Sequence, residues 1–179
     1  MALKEHPFVV TSSFTADGDT ITYDKNAENR STAVGKAFTI NADGTAALVA
    51  DGDEIIGKVL AVDDDNVMTG AYICGGLRLP LGRNAEVARG DKLVGALGAR
   101  NAKGFVKPVP AAPNAVSITD TDYTTTNFAD LAAASTAVDG VVDELSDTAD
   151  AVNALRTIVN KGRGLVVDFD DTDALVALI

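Results

Sequence analysis

The chain has 179 residues, a formal net charge of −11, 46% apolar residues, 5% aromatics and no Trp. That length allows one domain or a compact module with an appendage, and apolar content dominated by Ala, Val and Gly suits a β module and narrow helical seams better than a large enzyme interior. The negative charge disfavours nucleic acid and anionic membranes as partners, no run reaches the ~18 apolar residues of a membrane span, and one Cys with one His cannot complete a structural zinc site.

Residues 1–30 open with MALKEHPFVV, which lacks the apolar run of a secretory signal. They are expected to form an extended N-terminal arm. Cys74 is the single cysteine, so an intrachain disulfide is impossible and synthesis in a reducing cytoplasm is expected.

A β-rich module is predicted over residues 31–108, where turn dipeptides recur: Asp43-Gly44, Asp51-Gly52, Gly75-Gly76 and Gly90-Asp91. Such pairs supply the positive φ angles of tight hairpins. Between them, segments 33–40, 45–49, 54–62, 67–74, 77–81, 92–96 and 104–108 read as strands. Short strands at this spacing predict a small β-barrel or sandwich. The module carries a basic run, Arg78, Arg83, Arg89, Lys92, Arg100, Lys103 and Lys107, against only Glu86 and Asp91. Phe105 is the one aromatic interleaved with it, too few for base stacking. A footprint for an acidic protein surface is the expectation.

Residues 109–126 read as a linker, because PVPAAP at 108–113 cannot continue a central strand. A helix is then predicted over 127–163. Leu131, Val138, Leu145, Val152 and Val159 recur every seven residues; Ala134, Val141, Thr148 and Leu155 follow three residues behind. This a/d pattern, sustained for about four heptads, predicts a coiled coil. Asn127 is placed to cap the helix, and Gly162 and Gly164 to stop it. The helix could pack on its own β module or pair with identical chains, and seven-residue spacing favours the second. The mixed Val/Leu seam leans away from a pure dimer, so a homotrimer is expected. Residues 164–179 read as a strand at 165–169 and an apolar cap, together a small C-terminal knob. The predicted fold class is thus mainly β with an appended coiled-coil helix.

Chemistry finds little support. His6 and Cys74 are the only residues of their kinds, and the expectation for them is an exposed His and a small buried hydrophobe. Asp63-Asp64-Asp65 reads as a solvated turn, and Asp168, Asp170, Asp171 and Asp173 lack the spacing of a calcium loop. The Gly-rich stretch 95–104 lacks the Gly-Lys-Ser/Thr of a phosphate loop. No catalytic residue, cofactor or metal is expected.

ADGDEIIGKVLAVDDD, GGLRLPLGRNAEVARGDKLVGA and GFVKPV together resemble the capsid decoration (cement) proteins of tailed bacteriophages, over residues 30–108. The coiled coil with a terminal knob resembles head-fibre extensions of such proteins. The resemblance implies a homotrimer on the outer capsid surface of a virion, bracing the major capsid protein, with an N-terminal arm that orders on the capsid. It implies no catalytic residues. A tail-fibre or baseplate component, and a ligand- or sugar-binding β module with an oligomerisation helix, are the alternatives.

Overall fold

In the computed structural model residues 10–72, 76–111 and 131–177 are described, with helical side chains described from Asp139 onward, Val141 excepted. Contacts divide the chain into two compact units, residues 1–109 with 160–179, and residues 110–159.

Among the described residues the first unit holds ten strands. Five form one antiparallel sheet, β1 (Thr11–Thr15), β2 (Ala37–Ile40), β3 (Ala46–Leu48), β4 (Gly57–Val62) and β5 (Val67–Tyr72), in the order β1-β5-β4-β2-β3. A second sheet holds β6 (Leu77–Pro80), β9 (Leu165–Phe169) and β10 (Asp173–Ala177), in the order β6-β10-β9. The hairpin of β7 (Leu93–Ala96) and β8 (Phe105–Pro108) is the third. Backbone bonds join the second and third sheets on both flanks. The Gly82 amide donates to Val106 (2.8 Å) on one side, and the Val166 amide to Asp91 (2.9 Å) on the other.

Each of the seven segments read as strands in the β module contains one, from β2 to β8. Alternating apolar residues there feed two cores. Phe38, Ile21, Met68, Val59 and Leu48 fill one; Leu77, Leu79, Leu93, Val106 and Val166 belong to the other. Gly57 and Gly70 leave room for the Phe38 ring, Gly57 also for the Ala71 carbonyl. A methyl at Gly57 or Gly70 would come within 2.9 or 2.7 Å of its ring. Small residues therefore do here what the composition suggested, letting one buried aromatic span two strands.

Two boundaries differ from expectation. The N-terminal arm is not separate from the β module, because Thr11–Thr15 pairs with β5 as an edge strand and Phe14 packs 5.3 Å from Phe38. After it the Asp17 carboxylate accepts from the amides of Asp19, Thr20 and Ile21, a turn that delivers Ile21 into the core. Nor is 164–179 a separate knob. β10 pairs with β6 on one side and β9 on the other, and the two place Val166, Ala174 and Val176 in the core. Ala174 and Val176 are buried by this chain's own strands, while Leu178 and Ile179 lie outside the described residues. The helical segment is consequently an insertion between β8 and β9, not a terminal appendage.

In the second unit α1 runs Leu131–Lys161, a helix of 31 residues that continues into the first unit. Its predicted cap, Asn127, and most of the expected linker lie outside the described residues.

Candidate functional site

Two surfaces follow from the sequence, the helical seam and the basic run. Along α1 the seam residues Leu131, Ala134, Val138 and Val141 have side chains outside the described set. Those that are described leave apolar surface in water. Leu145, Val152 and Val159 are 53%, 41% and 42% exposed, and Leu155 is half-buried. Val142, 59% exposed, sits beside the seam and was not read as part of it. Its position next to Val141 widens the apolar stripe at that one place, since the equivalent positions seven residues away are Ser135 and Ala149. Acidic residues Asp139, Asp143, Glu144, Asp147 and Asp150 occupy the other positions of the same stretch.

The seven cations do not form one patch. Arg78 Nε donates to Asp173 (2.7 Å) and a guanidinium nitrogen to Asp170 (3.3 Å). Arg89 pairs with Asp168 at 3.0 Å, and Lys107 with Asp51 at 2.8 Å. These three tie neighbouring strands and turns of the β unit together. Arg163, at the end of the helix, does the same with Glu54 at 2.8 Å. Lys92 stands at the base of the β7–β8 hairpin, where its carbonyl accepts from the Val109 amide. Arg83, Arg100 and Lys103 are exposed around the hairpin tip, and among the described residues they make no ion pair.

The acidic cluster near the C-terminus is thereby explained without an ion. The hydrogen bond from Arg89 holds the Asp168 carboxyl below the usual aspartate range. The Asp170 carboxyl is likewise lowered, first by the amide and hydroxyl of Thr172, then by the Asp173 amide, with Arg78 adding a smaller attraction. Asp17 also sits low. Partial burial pushes it up, but the Thr20 hydroxyl and three backbone amides outweigh that. Among the described residues no three His, Cys, Asp or Glu side chains converge as a metal site would require. No helix among them is long and apolar enough to cross a membrane. His6 and Cys74 lie outside the described residues.

An open groove of about 350 Å³ is lined by Leu81, Val87 and Phe169 together with Glu86, Asp170 and Asp171. Among the described residues it is one place where a small ligand could be seated, and Phe169 is its single aromatic wall. Compared with known proteins, the chain matches no family model, no curated protein and no solved structure.

One contributor to the basic surface escaped the sequence reading. Lys36 lies far from the run in sequence, yet its ammonium stands 5.9 Å from the centroid of the Phe105 ring. Only the pairing of β2 with its neighbours brings it there, so no local signal could have found it.

Proposed function

We propose that this protein is a structural component of a phage virion. It binds the outside of a tailed-phage capsid as a homotrimer and stabilises the lattice of the major capsid protein, through a β module closed as a small barrel. The observation that carries the reading is the exposure of Leu145, Val152 and Val159 at seven-residue spacing on one helix. Such a seam is costly in water, since fully burying a Leu or Val contributes roughly 1.5–3 kcal/mol. Three identical helices can bury it against one another with each a/d side chain filling a hole on its neighbours.

A trimer of this kind matches a threefold position on a capsid lattice. Three modest contacts made together then bind far more tightly than one, because the second and third form at high effective concentration. Catalysis is not required for such a role. Exposed cations on the β module supply a footprint for an acidic capsid surface, while the acidic flanks of α1 favour solvent.

The test has two parts. Equilibrium sedimentation of the intact chain should give about three times its 18.4 kDa, falling to one times for the Leu145→Asp/Val152→Asp double variant. The intact chain should also pellet with undecorated capsids and raise the temperature at which they disrupt. A monomeric intact chain would remove the trimer, and failure to bind capsids would remove the decoration role.

A further inference from the structure

We propose that the tip of the β7–β8 hairpin is the part of the basic surface that meets the partner, and that Lys36, Arg83, Arg100 and Lys103 around Phe105 form a docking site for an acidic protein surface. This rests on the reading of the chain as a capsid-binding protein and narrows it to one place.

Four cations reach the tip from three separate stretches of chain. The Arg83 amide donates to the Leu97 carbonyl at 3.0 Å, which holds the 82–84 turn against the 97–102 loop. That loop is closed by the Gly98 amide donating to Ala102 at 2.8 Å. The Phe105 ring lies directly on Gly98, where a methyl group would come within 2.5 Å of it. Lys36 reaches over the other part of the same ring, its stem packed at Gly104. The ring is thus a shared floor, and Arg83, Arg100 and Lys103 are exposed around it.

These cations are set apart from Arg78, Arg89 and Lys107 by having no carboxylate partner among the described residues, a state that Lys92 shares at the base of the hairpin. Arg78, Arg89, Lys107 and Arg163 are paired with carboxylates, whereas among the described residues Lys36, Arg83, Arg100 and Lys103 are in no ion pair. Backbone conformation adds a second, independent observation. Arg100 and Asn101 both have positive φ, +56° and +61°. Asn tolerates that region and Gly is at ease in it, but an Arg is strained there. Arg30 has the same conformation (+64°), so the strain does not single out Arg100 by itself; it adds to the clustering of unpaired cations at the tip.

The chemistry selects the partner class. Two guanidinium groups match carboxylates with paired hydrogen bonds. A lone Phe gives no platform for stacking successive bases, and the net charge of −11 repels nucleic acid from a distance. An acidic protein surface is met by the same charges without either handicap, since the tip presents a local positive field on a negative body.

The experiment compares the intact chain with two variants that each remove three positive charges. The tip variant is Arg83→Gln/Arg100→Gly/Lys103→Gln; the control is Arg89→Gln/Lys92→Gln/Lys161→Gln, away from the tip. Circular dichroism and sedimentation first establish that both keep the fold and oligomeric state of the intact chain. Binding is then measured to undecorated capsids, to poly-L-glutamate and to a single-stranded oligonucleotide, at low and moderate salt. The tip variant should lose about tenfold in affinity for capsids and poly-L-glutamate with a shallower salt dependence, and the control far less. Equal losses in both variants, or none in the tip variant, would overturn the assignment. Tighter binding of the oligonucleotide than of poly-L-glutamate would overturn the partner class. If poly-L-glutamate binds through the tip while capsids are not bound at all, the site stands and the capsid reading falls.

Discussion

The backbones of Leu93 and Arg163 exchange two hydrogen bonds, 2.9 and 3.2 Å long, across a gap of seventy residues in sequence. On the opposite side of the same strand, the Val109 amide donates to the Lys92 carbonyl at 2.8 Å. The chain thus leaves β7's flank at Val109 and returns to its other flank at Arg163. Everything between is an excursion from one well-anchored point.

That anchoring predicts which deletions fold. Two strand spacings separate the two flanks, roughly 10 Å, which a Gly/Ser loop of about five residues spans. Replacing 110–160 with such a loop should leave a cooperatively unfolding, monomeric β unit. A chain ending at Pro113 should not fold, because it loses Val166, Ala174 and Val176 from the core. Thermal melts followed by circular dichroism separate the cases. A folded Pro113 truncation would mean β9 and β10 are dispensable.

Gly140 lies inside α1, and a methyl built on it meets no atom within 4 Å. It also falls outside the a and d positions of the seam. Gly140→Ala should therefore stabilise the helix by about 1 kcal/mol per chain without changing the oligomer. Ellipticity at the helix band and sedimentation mass check both halves. A change of mass would show that Gly140 lies in the contact rather than outside it.

The hydroxyl of Thr20 links a turn to a sheet edge. It donates to Asp17 at 2.6 Å and accepts from the Leu48 amide at 2.9 Å. Leu48 is buried at the end of β3, so the amide has little access to water. Thr20→Val should cost about 1–3 kcal/mol in urea unfolding, the penalty for an amide left without an acceptor. Thr20→Ser should recover most of it. Equal behaviour of the two variants would mean the methyl, not the hydroxyl, matters.

Acid should loosen the β9–β10 turn. Asp168 and Asp170 are held below their ordinary values in the folded chain. Groups lowered in this way stabilise fully above the unfolded aspartate value of about 3.9 and lose that stabilisation as pH falls through the folded values. Melting temperature should hold down to about pH 5 as far as these groups are concerned, then fall. Asp168→Asn/Asp170→Asn should start lower at neutral pH and fall less steeply between about pH 5 and 3. The effect is small, since both ion pairs are partly exposed and screened by salt. Parallel curves for the two proteins would assign the acid transition to other carboxylates.

Local pattern alone located most of the elements of this chain. Asp-Gly and Gly-Gly turns with short apolar alternations marked β2 to β8, Leu165–Phe169 was read as β9, and the seven-residue repeat marked α1. These are properties of neighbouring residues, carried by turn geometry and by the period of one helix or strand. Assembly was not legible in the same way. Thr11–Thr15 is a strand because β5 offers it an edge, and Asp173–Ala177 because β6 and β9 flank it; neither has a strong pattern of its own. The apolar tail reads as a terminal knob for the same reason, its partners being nearly a hundred residues upstream. The basic run shows the difference most directly. Its residues share one stretch of thirty residues, but strand pairing sent Arg78 and Arg89 to the acids of the C-terminal hairpin, Lys107 to Asp51, and brought Lys36 in from elsewhere. Sequence set the inventory of charges; which of them remain free was decided by long-range pairing, because a charge is spent on whichever opposite charge the fold brings within reach.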